Sequence, residues 1–376
     1  MNQSWKYVPF NSIFKWSSKS SIGSRDGKKT GKYPLYIASA KEIKRYDEYL
    51  ESGEALVFGT GGNPCIHYVT GLFSYTNHTE AAKAISDDIF TKFYFYYFQR
   101  NKYADLQSTF VGGGIKNSSK KKIGALLVPV CDKAEQIRIV SEIEELFSEL
   151  DNGVQTLQKV KLQLAVYRQA VLKDVFDSAT DCENGTIFSV CRNVVDCPHS
   201  TPKWEDSGKI CLRTTNFKRG YLDLSEKNYV SDETFDKRNA RLVPQPGDVL
   251  YSREGAILGI ACIIPKDLYV CLGQRMMLLR TNEKMLGRFL MHYLNSPKVT
   301  SFVATKIGGS ASPHVNVGDI KEFTVPIPSI TEQQRMLEQI ESRLSVCDSI
   351  EQTVDTALQQ AEAMRQSILK QAFEGK

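Results

Sequence analysis

The chain repeats itself at a fixed interval. Laying Val128-Pro129-Val130 over Val325-Pro326-Ile327 sets an offset of 197 residues, and without a gap Glu135-Gln136 then falls on Glu332-Gln333 and Arg138 on Arg335. The register holds through Ile143-Glu144 on Ile340-Glu341, Asp151 on Asp348 and Gln155-Thr156 on Gln352-Thr353. At the far end Arg168-Gln169 still matches Arg365-Gln366, Leu172-Lys173 matches Leu369-Lys370 and Phe176 matches Phe373. Low complexity does not produce a shared offset over about fifty residues, so this is a duplication, and any fold must contain the same element twice.

Each copy reads as one long helix. Val140, Ile143, Phe147, Leu150, Val154, Leu157 and Leu164 fall on the three–four spacing of a heptad seam. The second copy places Leu337, Ile340, Leu344, Cys347, Glu351, Val354 and Ala361 there, with Leu358 and Ile368 extending the apolar stripe. No proline interrupts either run, and Glu135 and Glu332 sit where a helix N-terminus favours negative charge. About forty residues make a rod of roughly 60 Å. The seam is narrow and flanked by polar residues, which predicts that the two rods pair rather than each lying on its own domain.

The segments before each rod read as β-rich and globular. Ile210-Cys211-Leu212-Arg213, Gly247 to Ser252 and Gly259 to Ile264 have strand character between glycines and prolines, and Arg288 to Leu294 and Lys298 to Thr305 read as short helices. Gly53 to Phe58 resembles the Gly247 stretch, and Ile89 to Asn101 reads as an aromatic core helix. The expected fold class is therefore α+β, with globular domains at 1–132 and 178–329, long helices at 133–177 and 330–376 forming an antiparallel coiled coil, and an internal pseudo-twofold repeat. A chain of 376 residues with 41% hydrophobic content suits two such domains.

Net charge is +5, too mild to identify a nucleic-acid partner by itself. Its distribution is more telling: residues 1–132 carry +7, 133–177 carry −2, 178–330 carry +3 and 331–376 carry −3. No apolar run is long enough to span a bilayer, and the N-terminus lacks the pattern of a signal peptide, so a cytoplasmic location is expected. The nine cysteines show no CxxC spacing and read as reduced, mostly buried thiols; Cys191, Cys197, His199 and Cys211 match no zinc pattern, and no metal is expected.

Motifs for chemistry are missing. There is no phosphate-binding GxxxxGK[ST], no HExxH and no GxSxG, and Asn63-Pro64-Cys65 lacks the second proline and the aromatic of an adenine-methyltransferase motif. Binding is expected, with no catalytic residue. The candidates lie in two polar, glycine-rich loops just ahead of the rods, Phe110 to Lys122 and Lys306 to Asn316. Glycines let a backbone approach a ligand, and Lys116, Ser118, Lys120, Lys121 and Ser310 suit phosphate oxygens. Asn117, His314 and Asn316 also suit base edges, and Arg213, Ser252 and Arg253 complete the set of candidate DNA contacts.

The paired glycine-rich loops, the Val-Pro segment and the Glu-Gln that opens each long helix resemble the specificity subunit of type I restriction–modification systems. Pro246-Gly247-Asp248-Val249-Leu250-Tyr251-Ser252-Arg253-Glu254-Gly255, Pro326-Ile327-Pro328-Ser329-Ile330-Thr331-Glu332-Gln333-Gln334 and Tyr33-Pro34-Leu35-Tyr36-Ile37-Ala38-Ser39 are similar to phrases of that family, and the similarity runs the length of the chain. Cys131 departs from it, standing where the second copy has Pro328. The resemblance implies two target-recognition domains, each reading half of a bipartite, asymmetric sequence in double-stranded DNA, with the paired rods holding them apart. It implies two modification subunits bringing S-adenosylmethionine for N6-adenine methylation, and restriction subunits bringing ATP and Mg²⁺. None of these cofactors is expected on this chain. Two rival readings stand beside it: a coiled-coil adaptor that binds only proteins, and an enzyme whose motif is not recognisable.

Overall fold

A computed structural model describes residues 5–179, 182–306 and 313–374. The chain divides into two compact units, Met1–Gln158 with Val354–Lys376, and Lys159–Thr353. Each unit thus combines one β-rich head with part of each long helix. Those helices are Lys133–Asp177 and Ile330–Glu374, forty-five residues apiece.

In the first unit, a four-stranded antiparallel sheet has the order Phe14–Trp16, Thr79–Ala84, Ala55–Gly59, Cys65–Val69. Beside it, Tyr33–Tyr36 pairs in parallel with Leu72–Tyr75. Lys6–Pro9 pairs with Leu127–Val130, the strand that leads into the first long helix. The second unit builds the same arrangement: Cys191–Asp196, Met276–Thr281, Val249–Ser252, Ala261–Ile263 in one antiparallel sheet. Lys209–Leu212 lies parallel to Val270–Leu272, and Glu183–Thr186 pairs with Thr324–Ile327 ahead of the second long helix. The duplication therefore extends through the heads, where sequence similarity is faint.

The head cores confirm the correspondence side chain by side chain. The aromatic run folds as the helix Thr91–Gln99 and buries Phe93, Tyr94, Tyr96, Tyr97 and Phe98. Phe93 and Tyr97 meet Phe373 edge-on at 5.1 and 5.5 Å. In the second unit Phe289 and Tyr293, on the helix Gly287–Leu294, meet Phe176 in the same way at 5.3 and 5.1 Å. Each tyrosine hydroxyl donates to the strand before a long helix, Tyr97 to the Leu127 carbonyl and Tyr293 to the Thr324 carbonyl. Phe176 and Phe373 stand at equivalent places in the two copies, so the C-terminal end of each long helix closes the core of a head.

Within each unit the long helices run antiparallel. In the first, the Arg365 guanidinium pairs with Asp151 and lies 4.3 Å from the Phe147 ring centre. In the second, the equivalent Arg168 pairs with Asp348 at 2.7 Å and also reaches Glu351 at 2.8 Å. The seam is covered as its spacing requires. Val140, Ile143, Phe147, Leu337, Ile340, Cys347 and Val354 are buried, and Leu150, Val154, Leu157, Leu344, Leu358 and Ile368 are half-buried. The seam does more than join helices, because Val140, Ile143 and Phe147 share a core with the aromatic helix, and Leu337 and Ile340 share one with Phe289 and Tyr293. The nine cysteines are free thiols, seven of them buried.

The first turn of each long helix is fastened to its head by a buried glutamine. Gln136 is 1% exposed; its Oε1 accepts from the Phe90 N–H, and its Nε2 donates to the Asp88 and Cys131 carbonyls. Gln333 is 0% exposed and repeats this, accepting from the Leu286 N–H and donating to the Lys284 and Pro328 carbonyls. Loss of either side chain leaves three partly buried backbone groups without this partner. Gln136→Ala and Gln333→Ala should each destabilise by about 1–3 kcal/mol, since an unpaired buried group costs about that much, water can reach part of what is left, and neighbouring losses do not simply add. Urea denaturation checks this, with Gln334→Ala, on an exposed neighbour, expected to change little.

His292 gives the second unit a pH dependence. It is 8% exposed on the helix Gly287–Leu294, and burial, assisted by the Arg288 charge, lowers its pKa to about 4. The folded form thus holds the ring neutral, while the unfolded chain takes up a proton near the ordinary value of about 6.5. Stability from this group is full above about 6.5 and is lost as pH falls towards 4, by at most about 3 kcal/mol. The sign is that of a depressed base: acid destabilises. His292→Gln should flatten the difference in unfolding free energy between pH 7 and pH 4.5 relative to the wild type.

Candidate nucleic-acid interface

Residues 116–118 of the first glycine-rich loop and 313–315 at the described end of the second occupy equivalent places, each strapped to the hairpin that follows an inner strand of its main sheet. In the first unit, Gly62 N–H donates to the Lys116 carbonyl at 3.0 Å and Ser118 N–H to the Thr60 carbonyl at 2.8 Å. In the second, Gly255 N–H donates to the Pro313 carbonyl and Val315 N–H to the Arg253 carbonyl, both at 2.9 Å. Gly61 bridges Asn117 as Glu254 bridges His314. Gly62 and Gly255 take φ of +80° and +89°, a region that side chains with a Cβ rarely adopt, so the hairpin tips need glycine there.

These straps place Asn117 and His314 in the same slot of the two heads, one carrying an amide and the other an imidazole. Asn117 is exposed and its backbone is fixed on both sides by Val111, while its Nδ2 donates to the Ile115 carbonyl. Asn316 is exposed at the start of the short helix Val317–Lys321. Lys116 and Lys121 are exposed cations on either side of Asn117. Arg213 is exposed on the second head, with its guanidinium 5.6 Å from the Trp204 ring centre. Ser310 lies outside the described residues.

Four candidates have other work. Ser252 is 0% exposed, and its hydroxyl exchanges hydrogen bonds with the Ile260 backbone. Arg253 is 6% exposed, and its fork grips Asp196 at 2.8 and 3.0 Å. Neither side chain is available to DNA: the strand Val249–Ser252 carries the polar phrase inward, and the pair with Asp196 anchors the hairpin. Lys120 is half-buried, reaching the Ser17 carbonyl at 2.7 Å and Glu80 at 3.1 Å, so its charge is largely neutralised. The Ser118 hydroxyl is engaged by Thr109 at 2.6 Å.

Other residues at these loops were not legible as candidates. His78 and Arg275 precede equivalent strands, and their carbonyls accept from Thr60 and Arg253 N–H at 2.9 and 3.0 Å. Asp196 holds both Arg253 and the exposed His199, whose Nε2 lies 3.0 Å away. The strand pairing that gathers them leaves no local motif. Among the described residues no cluster of His, Cys, Asp or Glu has metal-holding geometry, and no helix is long and apolar enough to cross a membrane.

The Asp196–Arg253 pair anchors the residue whose carbonyl accepts from the Val315 N–H. Arg253→Ala should leave the Asp196 carboxylate, 16% exposed, with only the exposed His199 beside it, at a cost somewhat below the ~3–5 kcal/mol of an uncompensated buried charge, and should loosen the backbone of 253–260 and 313–316. Hydrogen exchange should show faster exchange in those segments. Arg253→Lys should recover little of the loss, because a single ammonium cannot make the two-pronged contact.

Comparison with known proteins bears on this arrangement. The sequence pattern of the type I restriction modification DNA specificity domain matches residues 2–162 and 172–360. The specificity subunit of the type I restriction enzyme EcoBI of Escherichia coli is 24% identical over 77% of this chain and 67% of its own length. That of EcoKI, from Escherichia coli strain K12, is 21% identical over 87% and 73%. The MjaVIII specificity subunit of Methanocaldococcus jannaschii is 23% identical over 79% and 72%. Among solved structures, a chain from work on complex assembly and conformational transition of the type I R-M system superposes with a TM-score of 0.73 at 16% identity, covering 100% of this chain and 99% of that one. The HsdS subunit of Thermoanaerobacter tengcongensis gives a TM-score of 0.51 at 16% identity over 99% and 97%. The structural likeness speaks for the fold, and the sequence pattern, spanning both units, places this chain in the type I restriction modification DNA specificity domain family.

Proposed function

We propose that this chain is the specificity subunit of a type I restriction–modification enzyme and that each unit reads one half of a bipartite, asymmetric DNA target. The observation that carries this is the duplicated loop strap, in which one backbone frame presents Asn117 in one head and His314 in the other. A scaffold held constant beneath side chains of different chemistry is what two unlike half-sites require. Exposed Lys116 and Lys121 supply phosphate contacts, which fix register without reading sequence.

Chemistry belongs to partners in this reading. Two modification subunits dock on the chain, one for each copy of the repeat, and bring S-adenosylmethionine. Restriction subunits bring ATP and Mg²⁺, and the assembly works in the cytoplasm. The alternative of an adaptor that binds only proteins leaves the chemical difference between the two strapped loops without a purpose.

The chain alone should bind DNA weakly, in keeping with its mild charge of +5, and gain affinity and sequence preference when modification subunits are added. Gel shifts with and without those subunits measure this. Methylation-sensitive sequencing of a host carrying the locus should reveal one bipartite methylated motif. Sequence-independent retention in the full complex, with no such motif, would support the adaptor instead.

A further inference from the structure

Arg275 stands beside the second loop in a conformation that an arginine seldom takes. Its φ is +69°, in the left-handed region, and its carbonyl is fixed by the Arg253 N–H at 3.0 Å. Non-glycine residues are strained there and persist only where their surroundings determine them. Leu272 and Met276 on either side are 5% and 0% exposed, so the backbone at Arg275 is pinned between two strand ends. Its side chain is 53% exposed. A Cβ added to Gly255 would meet the Arg275 Nη1 at 3.3 Å, so the guanidinium lies across the hairpin tip that is strapped to Pro313.

Three other arginines of this head, Arg238, Arg253 and Arg280, are held more tightly. Arg253 is buried on Asp196, and Arg238 is buried with its guanidinium donating to the Leu272, Gly273, Ser200 and Pro198 carbonyls. Arg280 grips Asp248 at 2.8 Å from both its Nε and its Nη2. Arg275 has a carboxylate neighbour too, but the closest approach to Glu254 is 3.7 Å, beyond a hydrogen bond, on a half-exposed side chain. Such a pair is worth little and exchanges readily for a better acceptor. The fork is thus positioned by a rigid backbone and only loosely tethered at its tip.

The same slot in the first head is filled by His78. It too sits immediately before the second strand of the sheet, and its carbonyl accepts from the Thr60 N–H at 2.9 Å, as Arg275 accepts from Arg253. It is exposed, and a Cβ on Gly61 would lie 3.8 Å from its Nδ1 and 3.3 Å from the Asn117 Oδ1. Each head therefore presents a pair of side chains from two separate connections over one glycine hairpin: His78 with Asn117, and Arg275 with His314.

On the reading that these loops face DNA, we propose that Arg275 and His78 are equivalent specificity-determining residues, with Arg275 donating its fork to the paired acceptors of a guanine edge. A guanidinium matches guanine O6 and N7 with two parallel hydrogen bonds, and no other base edge in the major groove offers that pair of acceptors. Glu254 keeps the fork over the hairpin until DNA replaces it. His78 reads a base at the corresponding step of the other half-site.

The test uses the full chain assembled with its modification subunits and selects bound duplexes from a library randomised across both half-sites. Arg275→Ala should relax preference for guanine at one position of one half-site by about 5- to 100-fold and leave the other half-site unchanged, and Arg275→Lys should relax the same position by a smaller factor. The lysine variant keeps the charge, so its salt dependence should match the wild type, and it decides the matter if the alanine variant folds poorly. His78→Ala should alter only the opposite half-site. A uniform loss of affinity for all sequences in Arg275→Ala, with a salt slope shallower by about one, would make Arg275 a phosphate contact and overturn the proposal. Unchanged selection in both Arg275 variants would overturn it while the wild type's own bipartite selection upheld the proposed function. A wild-type complex that selects no motif would overturn both.

Discussion

The buried glutamine at the first turn of each long helix is the joint on which the rest of each unit depends. A helix begins with backbone N–H groups that have no partner within it, and the strand that leads in ends with carbonyls in the same condition. Gln136 and Gln333 meet such a need with one planar amide, accepting from the N–H at the start of the head's own helix and donating to two carbonyls of the segments that flank it. The amide thereby fixes the angle between three segments. With that angle set, Val140 and Ile143 in one unit, and Leu337 and Ile340 in the other, face the aromatic core. Apolar packing supplies most of the stabilisation, but it is non-directional, and the glutamine determines where it is applied.

The second constraint comes from the duplication. A head with its own N-terminal helix segment leaves a seam open, and in each unit the other long helix closes it. Phe373 inserts between Phe93 and Tyr97, and Phe176 between Phe289 and Tyr293, so neither head has a complete core from contiguous sequence. Arg365 on Asp151, and Arg168 on Asp348, set the antiparallel register with the same pair of positions exchanged. These pairs are partly exposed and add little to stability individually; their contribution is to disfavour other registers. In the second copy Glu351 occupies a seam position that the first fills with Val154, and it is tolerated because Arg168 and Lys161 reach it.

The rods were legible because a heptad pattern over forty residues is a long signal, and both helices run where the seam places them. The heads' duplication was legible only faintly, in the Gly53 and Gly247 stretches and the paired loops, because the interval between equivalent residues drifts. It is 197 for Gln136 and Gln333 and 196 for Phe93 and Phe289, but 193 for Thr60 and Arg253, as hairpins and connections change length. Even where Gly53 and Gly247 both turn with positive φ, the strands that follow pair one residue out of step with that match, since Gly59 opposes Thr79 as Ser252 opposes Met276. The loops were visible by their glycines, and Asn117 and His314 by their position in them. Ser252 and Arg253 were misread because a polar phrase at a strand end looks exposed until its buried partner, Asp196, is brought from fifty-seven residues away. His78 and Arg275 carried no local signal at all.

The same physics explains why backbone and side chain have diverged at different rates within the heads. The strap between hairpin and loop is made of N–H and carbonyl groups, which every residue but proline supplies, so its geometry survives wholesale replacement of side chains. Glycine at the hairpin tip is the exception, required by positive φ at Gly62 and Gly255. What lies above the strap is less constrained by packing: Asn117 and His78 are exposed, and Arg275 is half-exposed, with its guanidinium by the hairpin and near the Glu254 carboxylate. A change there costs the fold little, whereas a change at Gln333, Phe289 or Arg253 removes a buried contact. The surface best able to vary is therefore the surface placed over the loops, and a chain built in this way can acquire a new binding preference without acquiring a new fold.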